Sequence, residues 1–302
     1  MRILILYPNL PMMITPATSV AIFTSIIKEM QCSVEMFETT LYTEDENQGM
    51  LYKSKLGGGR SYSLDQLGFS LKMTNDVLPD LVKKVKEYKP DLLLCSTVED
   101  TFSDTNMMLE SVEEFNIPHI VGGVFPVNAP EICLSSPHIN VISRYEGELV
   151  LRDVIKKFKE GKNWKKTHGL WYKKNGKIIK NPRQPLCNIN DVIPDFSLYD
   201  LARFNRPMGG KVRSTIQFET YRGCPYSCTF CNSPTTRNMD KNYLRRKKID
   251  QVEKELDYYV KNFNPEFWFI TDDSFLARPK NENFELCDLF KKYKIPWWCN
   301  TR

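Results

Sequence analysis

Residues 219–234 read ETYRGCPYSCTFCNSP and hold three cysteines within eight positions, Cys224, Cys228 and Cys231. They follow a strand-like run at 214–218. A loop at a strand end lets three thiolates converge on one small object, whereas helix or strand periodicity would point them apart. Structural zinc sites usually add a second cysteine pair to complete four ligands, and no such pair follows here. The spacing favours a metal centre with one open position, such as a cubane iron–sulfur cluster, over zinc or three unrelated cysteines.

This stretch resembles the cluster motif of the radical S-adenosylmethionine (SAM) enzymes, including the aromatic Phe230 directly before the last cysteine. The resemblance implies a [4Fe-4S] cluster on Cys224, Cys228 and Cys231, whose free iron binds the amino and carboxylate groups of SAM. It further implies that an electron from the cluster cleaves the sulfonium to release a 5′-deoxyadenosyl radical. An electron donor such as flavodoxin or ferredoxin is therefore an expected partner.

Composition narrows the class of protein. The chain has 302 residues, enough for two domains, and its 42 basic and 37 acidic residues give a net charge of only +5. That charge is too mild to indicate a nucleic-acid binder. No apolar run approaches the ~18 residues that span a bilayer. Six of the nine cysteines stand singly outside the motif, which suits a reducing cytoplasm better than a disulfide framework. We expect a cytoplasmic protein with a small-molecule substrate and with neither a membrane nor a nucleic-acid partner.

Apolar runs alternate with helical periodicity through the first 160 residues. The pattern predicts strands at 2–6, 33–38, 91–95, 118–121 and 139–143, and helices at 18–30, 77–88, 106–115 and 149–160. Strands that alternate with helices predict a doubly wound, Rossmann-like parallel sheet over residues 1–160. Ligands of such sheets lie at the carboxyl ends of the strands. The candidate ligand-binding residues there are Asn9, Ser96, Thr97, Gly122, Gly123, Val124 and Glu146.

A Rossmann-like domain ahead of this cluster motif resembles the cobalamin-binding radical SAM family. The segments that carry the likeness are GGVFPVNAPE (122–131), RYEGE (144–148) and VIPDFSLYDL (192–201). The resemblance implies cobalamin across the strand ends, with its nucleotide tail between sheet and helices. The D-x-H-x-x-G signature that supplies a histidine to cobalt is absent, and His119, His138 and His168 do not follow the first strand. Cobalamin bound without a histidine ligand is therefore the expectation, and a Rossmann domain that has lost the cofactor is the alternative.

The remaining chain divides into a bridging segment, 161–210, and a radical SAM domain, 211–302. In the bridge, 169–180 predicts a β-hairpin, because Asn175-Gly176 suits a type I′ turn. In the last part, the basic run RRKK at 245–248 is expected to be a solvated helix start. It is followed by a helix at 249–261, a strand at 267–271, a helix at 284–293 and a strand at 296–300. This cadence predicts part of a (β/α) barrel.

By resemblance, the SAM contacts are Phe230, Asp272, Asp273, Asn300 and Arg302. About three of the family's six barrel units precede Arg302, so a truncated barrel is expected. The resemblance implies a cobalamin-dependent radical SAM enzyme that methylates an unactivated carbon, or performs a cyclisation or rearrangement.

Two alternatives remain open. One is a non-catalytic cobalamin- or metal-binding protein, either a truncated relic or a regulatory partner. The other is a transfer-RNA methylthiotransferase, which would need three amino-terminal cysteines for a second cluster. Cys32, Cys95 and Cys133 are misplaced for that role.

Overall fold

The structure is a computed structural model that describes residues 1–11, 13–44 and 67–301. Its first sheet has seven strands in the order β2-β1-β3-β4-β5-β6-β7. The first five strands are parallel, and β6 and β7 are antiparallel. They are β1 (Arg2–Tyr7), β2 (Ser33–Glu38), β3 (Leu92–Ser96), β4 (His119–Gly122), β5 (Val141–Ser143), β6 (Leu170–Lys174) and β7 (Lys177–Lys180). The predicted α/β fold with a mainly parallel sheet is confirmed.

Helices cover both faces of this sheet, which explains why consecutive residues of β1 (Ile3 to Leu6) are buried on either side. On one face lie α1 (Thr18–Glu29) and α6 (Glu148–Lys159). On the other face lie α2 (Val77–Tyr88), α3 (Phe102–Ser111), and the short α4 (Val124–Asn128) and α5 (Pro130–Ser135). Helix α3 begins four residues earlier than predicted, because a 3₁₀ turn at Glu99–Thr101 leads directly into it.

The predicted hairpin forms, with positive φ at Asn175 and Gly176. Its position differs from the expectation, since it was assigned to the bridging segment. Strand β6 instead pairs with β5, so the hairpin extends the first sheet by two strands. The residues of the turn specify that a hairpin forms. Which sheet the hairpin joins depends on pairing with a strand distant in sequence, which the turn residues do not determine.

A second sheet has the strand order β8-β9-β12-β13. Strand β8 (Asn205–Met208) is antiparallel to β9 (Lys211–Phe218), whereas β9, β12 (Phe267–Ile270) and β13 (Trp297–Cys299) are parallel. Helices α8 (Ile249–Phe263) and α9 (Lys280–Tyr293) connect the parallel strands. The predicted strands and helices are present here, and their membership of a barrel stays a prediction.

Shorter elements complete the described chain. Strands β10 (Tyr221–Arg222) and β11 (Arg245–Arg246) form an antiparallel pair that flanks the cysteine motif, and α7 (Ser233–Met239) lies between them. Tyr42–Thr43 pairs with Lys72–Met73, and further 3₁₀ turns lie at Thr74–Asp76, Glu113–Phe115, Trp164–Lys166 and Leu201–Phe204.

The two sheets share one continuous apolar core. Phe196, in the segment that joins them, is fully buried and its ring centroid lies 5.9 Å from that of Tyr259 on α8. Nearby, the Tyr199 hydroxyl accepts the Ala17 N–H at 3.0 Å, just before α1. Aromatic packing of this kind holds the second sheet against α1. No helix of the described ranges is both long enough and apolar enough to cross a membrane.

Candidate functional site

The cysteines lie in a loop, residues 223–232, that we call the cluster loop. It begins at Gly223, whose φ is +93° and where an added Cβ would lie 2.8 Å from the Tyr243 ring. Only glycine fits both constraints without strain. Cys224 and Cys228 are half-buried, Cys231 is exposed, and all three are free thiols.

Arg237 on α7 donates hydrogen bonds to three residues of the cluster loop. Its guanidinium donates to the Cys224 and Tyr226 carbonyl oxygens, both at 3.1 Å, and to the Ser227 hydroxyl at 2.9 Å. These bonds fix the backbone of the first half of the loop. In the second half, the Cys231 N–H donates to the Cys228 carbonyl at 3.2 Å.

The donor set fits an iron–sulfur cluster better than a single zinc ion. Three free thiols share one loop, and the Ser233 N–H lies 3.4 Å from the Cys231 sulfur, a contact of the kind that tunes cluster potential. Thiolates around one zinc ion, at about 2.3 Å each, would place their sulfurs about 3.8 Å apart. Among the described residues, the cysteine sulfurs do not all lie within 4.8 Å of one another. Three thiolates suit a cubane cluster that keeps one iron free of protein ligands.

The group that does come within 4.8 Å is Glu146, Glu148 and Cys187. Both carboxylates are already paired with Arg222, at 3.1 and 2.7 Å. They are therefore occupied by guanidinium rather than available to a metal ion.

The residues expected to contact SAM lie at two strand ends beside the cluster loop, and they differ in what their side chains already bind. Asp272 is buried and accepts four hydrogen bonds, from the Thr220 N–H and hydroxyl, the Tyr221 N–H and Arg278. Asp273 is exposed, and its carboxylate accepts the Ser233 hydroxyl at 3.3 Å, directly beside the cluster loop.

The other expected SAM contacts are exposed where the structure describes them. Phe230 is 92% exposed on the loop. Asn300 follows β13, and its backbone oxygen accepts the Phe275 N–H at 2.8 Å. Arg302 lies outside the described residues.

A cavity of about 560 Å³ opens at the carboxyl ends of the first sheet, within the size range of small-molecule and cofactor sites. Six of the seven residues expected to bind cobalamin line it: Asn9, Ser96, Gly122, Gly123, Val124 and Glu146. Thr97 does not. Its side chain is buried and its hydroxyl accepts the Thr105 hydroxyl at 2.9 Å. The Thr97 backbone packs closely against Gly123, because a Cβ added at Gly123 would lie 2.3 Å from the Thr97 oxygen.

The cavity continues into an apolar channel between the sheet and helices α1 and α6. Its walls include Ile22, Phe23, Leu94, Ile120, Val150 and Leu151. The opposite wall comes from the bridge and from the neighbourhood of the cluster loop: Arg183, Leu186, Glu219, Arg222, Thr236, Met239, Asp240, Tyr243 and Thr271. Sequence reasoning missed this second wall, because those residues belong to segments assigned to other parts of the chain.

A largely buried ionic cluster, with side chains 10–16% exposed, borders the cavity. We call it the Glu–Arg cluster; its members are Glu146, Glu148, Glu219, Arg222 and Arg245. Burial alone would raise the pKa of Glu146, but the hydrogen bond from Arg245 and the charges of Arg222 and Arg245 lower it to about 2. Glu146 therefore stays ionised in this setting.

Only half of the basic run at 245–248 is the solvated helix start that was predicted: Arg246 and Lys248 are exposed and Lys248 directly precedes α8, but Arg245 and Lys247 make ion pairs inside the fold. Arg245 pairs with Glu146, with only 16% of its side chain exposed. Lys247 is buried and lies 2.6 Å from Glu255 of α8. A charged run on a helix surface and one that pairs inside a fold have the same residue pattern, so the sequence carried no signal to separate them.

Known proteins resemble this chain in sequence, although no protein-family model matches it. It is 28% identical over 204 residues to an uncharacterized methyltransferase of Pyrococcus horikoshii, covering 67% of this chain and 43% of that protein. It is 26% identical over 242 residues to the anaerobic magnesium-protoporphyrin IX monomethyl ester cyclase of Rubrivivax gelatinosus, covering 76% of this chain and 42% of that one. The chain thus spans less than half the length of these curated relatives.

Two solved structures share the fold. The cobalamin-dependent SAM radical enzyme OxsB, solved with aqua-cobalamin and SAM, superposes with a TM-score of 0.66 at 21% identity, over 98% of this chain and 38% of OxsB. The radical SAM methyltransferase TsrM of Kitasatospora setae, solved with cobalamin and a [4Fe-4S] cluster, gives 0.63 at 14% identity, over 96% of this chain and 50% of TsrM. These findings agree with the resemblance found in the cysteine motif: the chain is similar in sequence to a methyltransferase and a cyclase, and it shares its fold with two cobalamin-binding radical SAM enzymes.

Proposed function

We propose that this chain binds a [4Fe-4S] cluster, SAM and cobalamin, and serves a cobalamin-dependent radical SAM reaction that methylates an unactivated carbon of a small molecule. One observation carries the proposal. The cavity at the carboxyl ends of the first sheet is lined in part by Glu219 and Arg222, which lie within five residues of Cys224. A cofactor in that cavity would therefore face the cluster loop.

Three thiolates, from Cys224, Cys228 and Cys231, would hold the cluster and leave one iron for SAM. When bound, the cluster would supply the electron that cleaves SAM, and cobalamin would carry the methyl group. Arg237 would keep the loop in the conformation that presents the thiolates. A flavodoxin or ferredoxin is the electron donor we propose.

The surroundings of the two aspartates support different roles for them. Asp272 has its carboxylate oxygens occupied by Thr220, Tyr221 and Arg278, so we assign it to holding the strand ends together. Asp273 is exposed beside the cluster loop. We propose Asp273 as the carboxylate that meets the amino group or ribose of SAM, with Asn300 and Phe230 as further contacts.

Cobalamin would lie over Gly122 and Gly123, which line the cavity at the end of β4. A Cβ added at Gly122 would lie 3.9 Å from the Cys95 oxygen and from the Ser143 Cβ, which is an ordinary contact distance. The apolar channel lined by Ile22, Phe23 and Val150 would take the nucleotide tail. The residues that line the cavity include no histidine among those described, in keeping with binding that lacks a histidine ligand.

A second reaction outcome is favoured by the relatives. Three of the curated relatives are named as anaerobic magnesium-protoporphyrin IX monomethyl ester cyclases. We therefore keep cyclisation as the alternative to methylation. For the transfer-RNA methylthiotransferase, Cys32, Cys95 and Cys133 would have to hold a second cluster. Cys32 is buried in the core on one face of the first sheet, whereas Cys95 and Cys133 are buried in the core on the other face.

The test is anaerobic iron–sulfide reconstitution of the chain and of Cys228→Ala, with Cys287→Ala as the matched control, since Cys287 is also half-buried but lies on α9. We expect a reducible cubane cluster whose EPR spectrum shifts with SAM, lost in Cys228→Ala and kept in Cys287→Ala. Titration of the same protein with cobalamin should show stoichiometric binding.

Each failure has its own meaning. Stoichiometric zinc without a cluster would refute the radical mechanism. Cobalamin binding without SAM cleavage would favour the non-catalytic binding protein. We keep the division into 1–160, 161–210 and 211–302 as part of the proposal, with the hairpin added to the first sheet.

A further inference from the structure

Arg222 joins the two walls of the cavity. It lies on β10, two residues before Cys224. Its guanidinium donates to Glu146 at 3.1 Å and to Glu148 at 2.7 Å, both at the edge of the first sheet, and to Glu219 at 2.5 Å on its own side. No side chain of this set is more than 16% exposed.

The first-sheet end of this connection is firmly held. A Cβ on Gly147 would lie 2.6 Å from the Phe23 ring, so the loop that carries Glu146 lies tightly on α1. The Glu146 carboxylate also accepts the Cys187 N–H at 3.1 Å and Arg245 at 2.9 Å. Glu146 can therefore move little without breaking several buried bonds.

The cluster-loop end is equally constrained. Only Gly223 separates Arg222 from Cys224, and the Tyr243 ring packs against it, 2.8 Å from the position of an added Cβ. This single, tightly packed glycine can absorb little of any shift in the position of Arg222. A displacement of the guanidinium would consequently be passed to the first cysteine.

The chemistry of the contact requires arginine. A planar guanidinium can donate to three carboxylates in fixed directions, whereas the ammonium of lysine is a compact point charge on a flexible stem. Buried charges that lose a partner are costly, so the ionic geometry is strongly determined.

We propose that Arg222 is a positioning residue that sets where the cluster loop stands relative to the cofactor cavity, and thereby the separation between cobalamin and cluster. The effect on the separation between cobalamin and cluster rests on the proposed function, whereas the placement of the cluster loop relative to the cavity does not.

The first test is hydrogen–deuterium exchange on the full chain without cofactors, comparing wild type, Arg222→Lys and the control Arg152→Lys. Arg152 also pairs with a glutamate, Glu29 at 2.7 Å, but between α6 and α1. We expect exchange to rise by about fivefold or more in Arg222→Lys within peptides covering 143–148 and 219–231, and nowhere else. The control should leave both peptides unchanged.

The second test uses reconstituted protein with cob(II)alamin and the reduced cluster, both of which are paramagnetic. Arg222→Lys should keep iron and cobalamin contents within about twofold of wild type but change the magnetic interaction between the two centres, which depends steeply on their separation. If Arg222→Lys does not fold, Glu148→Gln weakens the 2.7 Å contact from the first-sheet side and carries both measurements.

Two results would overturn the proposal, and a third would refute only the part that rests on the proposed function. Wild-type exchange in both peptides together with an unchanged magnetic interaction would overturn it. Faster exchange throughout the chain would overturn it too, because it would assign Arg222 to general stability. A wild-type chain that binds no cobalamin would refute the proposed function, while the exchange experiment would still decide the role of Arg222.

Discussion

Asp272 accepts the Thr220 N–H at 2.6 Å and the Thr220 hydroxyl at 2.5 Å, and so ties the end of β12 to the segment that follows β9. The same carboxylate lies 2.6 Å from Arg278, and neither side chain is more than 2% exposed. The strand ends that flank the cluster loop are therefore held by a buried ionic contact. The neighbouring Asp273 takes no part in it.

Substitutions of Asp272 and Asp273 should have different effects on stability and on SAM binding. Asp272→Asn removes the charge that compensates Arg278 and places an amide N–H against it, so the free energy of unfolding should fall by about 3 kcal/mol. Asp273→Asn should cost less than about 1 kcal/mol, because the side chain is exposed, but should weaken SAM binding to the reconstituted protein. Urea unfolding and SAM titration measure the two effects. Equal loss of stability in both variants would contradict the assignment.

The apolar signals in the sequence located most of the first sheet, because consecutive apolar residues such as Ile3 and Leu4 of β1 point to opposite faces and indicate a strand buried on both. The strand-end residues followed from the parallel topology, and Thr97 was the exception because its side chain turns inward to Thr105. Ion pairs between residues that are far apart in the sequence leave no local pattern in it. Arg222 and Arg245 therefore became recognisable as partners of Glu146 only in the folded chain.

The two cavity glycines should respond differently to alanine. At Gly123 a Cβ would lie 2.3 Å from the Thr97 oxygen and φ is +105°, so Gly123→Ala should cost about 2 kcal/mol or more. At Gly122 the nearest atoms lie 3.9 Å away, and Gly122→Ala should change stability by less than about 1 kcal/mol. Thermal or urea unfolding checks both. As a reference, Gly161→Ala tests the cost of positive φ alone, because no atom lies within 4 Å of its added Cβ.

Arg237 should matter for cluster assembly more than for folding. Arg237→Ala removes the donors to the Cys224 and Tyr226 carbonyls, so the loop loses its fixed conformation before metal binds. We expect the iron bound per chain after reconstitution to fall several-fold, with a change in unfolding free energy of about 1 kcal/mol. Lys241→Ala, an exposed residue shortly after α7, is the control and should retain full iron. Full iron in Arg237→Ala would show that the loop is held by other contacts.

The ionised Glu146 should make the stability of the chain without cofactors depend on pH. Its pKa in the fold is about 2, below the ordinary value of 4.5. Because the folded-state pKa is the lower one, the charge stabilises the fold fully above pH ~4.5, and this contribution is lost as the pH falls toward 2. At neutral pH it amounts to on the order of 3 kcal/mol, since the pKa falls from 4.5 to about 2 and each pKa unit corresponds to 1.36 kcal/mol.

The comparison of wild type with Glu146→Gln isolates this contribution. The two unfolding free energies should differ most at neutral pH, approach each other as the pH is lowered from about 5 to about 3, and meet only near pH 2. Urea unfolding at a series of pH values gives both curves. Glu87→Gln, at an exposed position of α2, should run parallel to wild type throughout. A gap between wild type and Glu146→Gln that stays constant down to pH 3 would mean that Glu146 acts through packing, because only the loss of its charge makes the two curves meet.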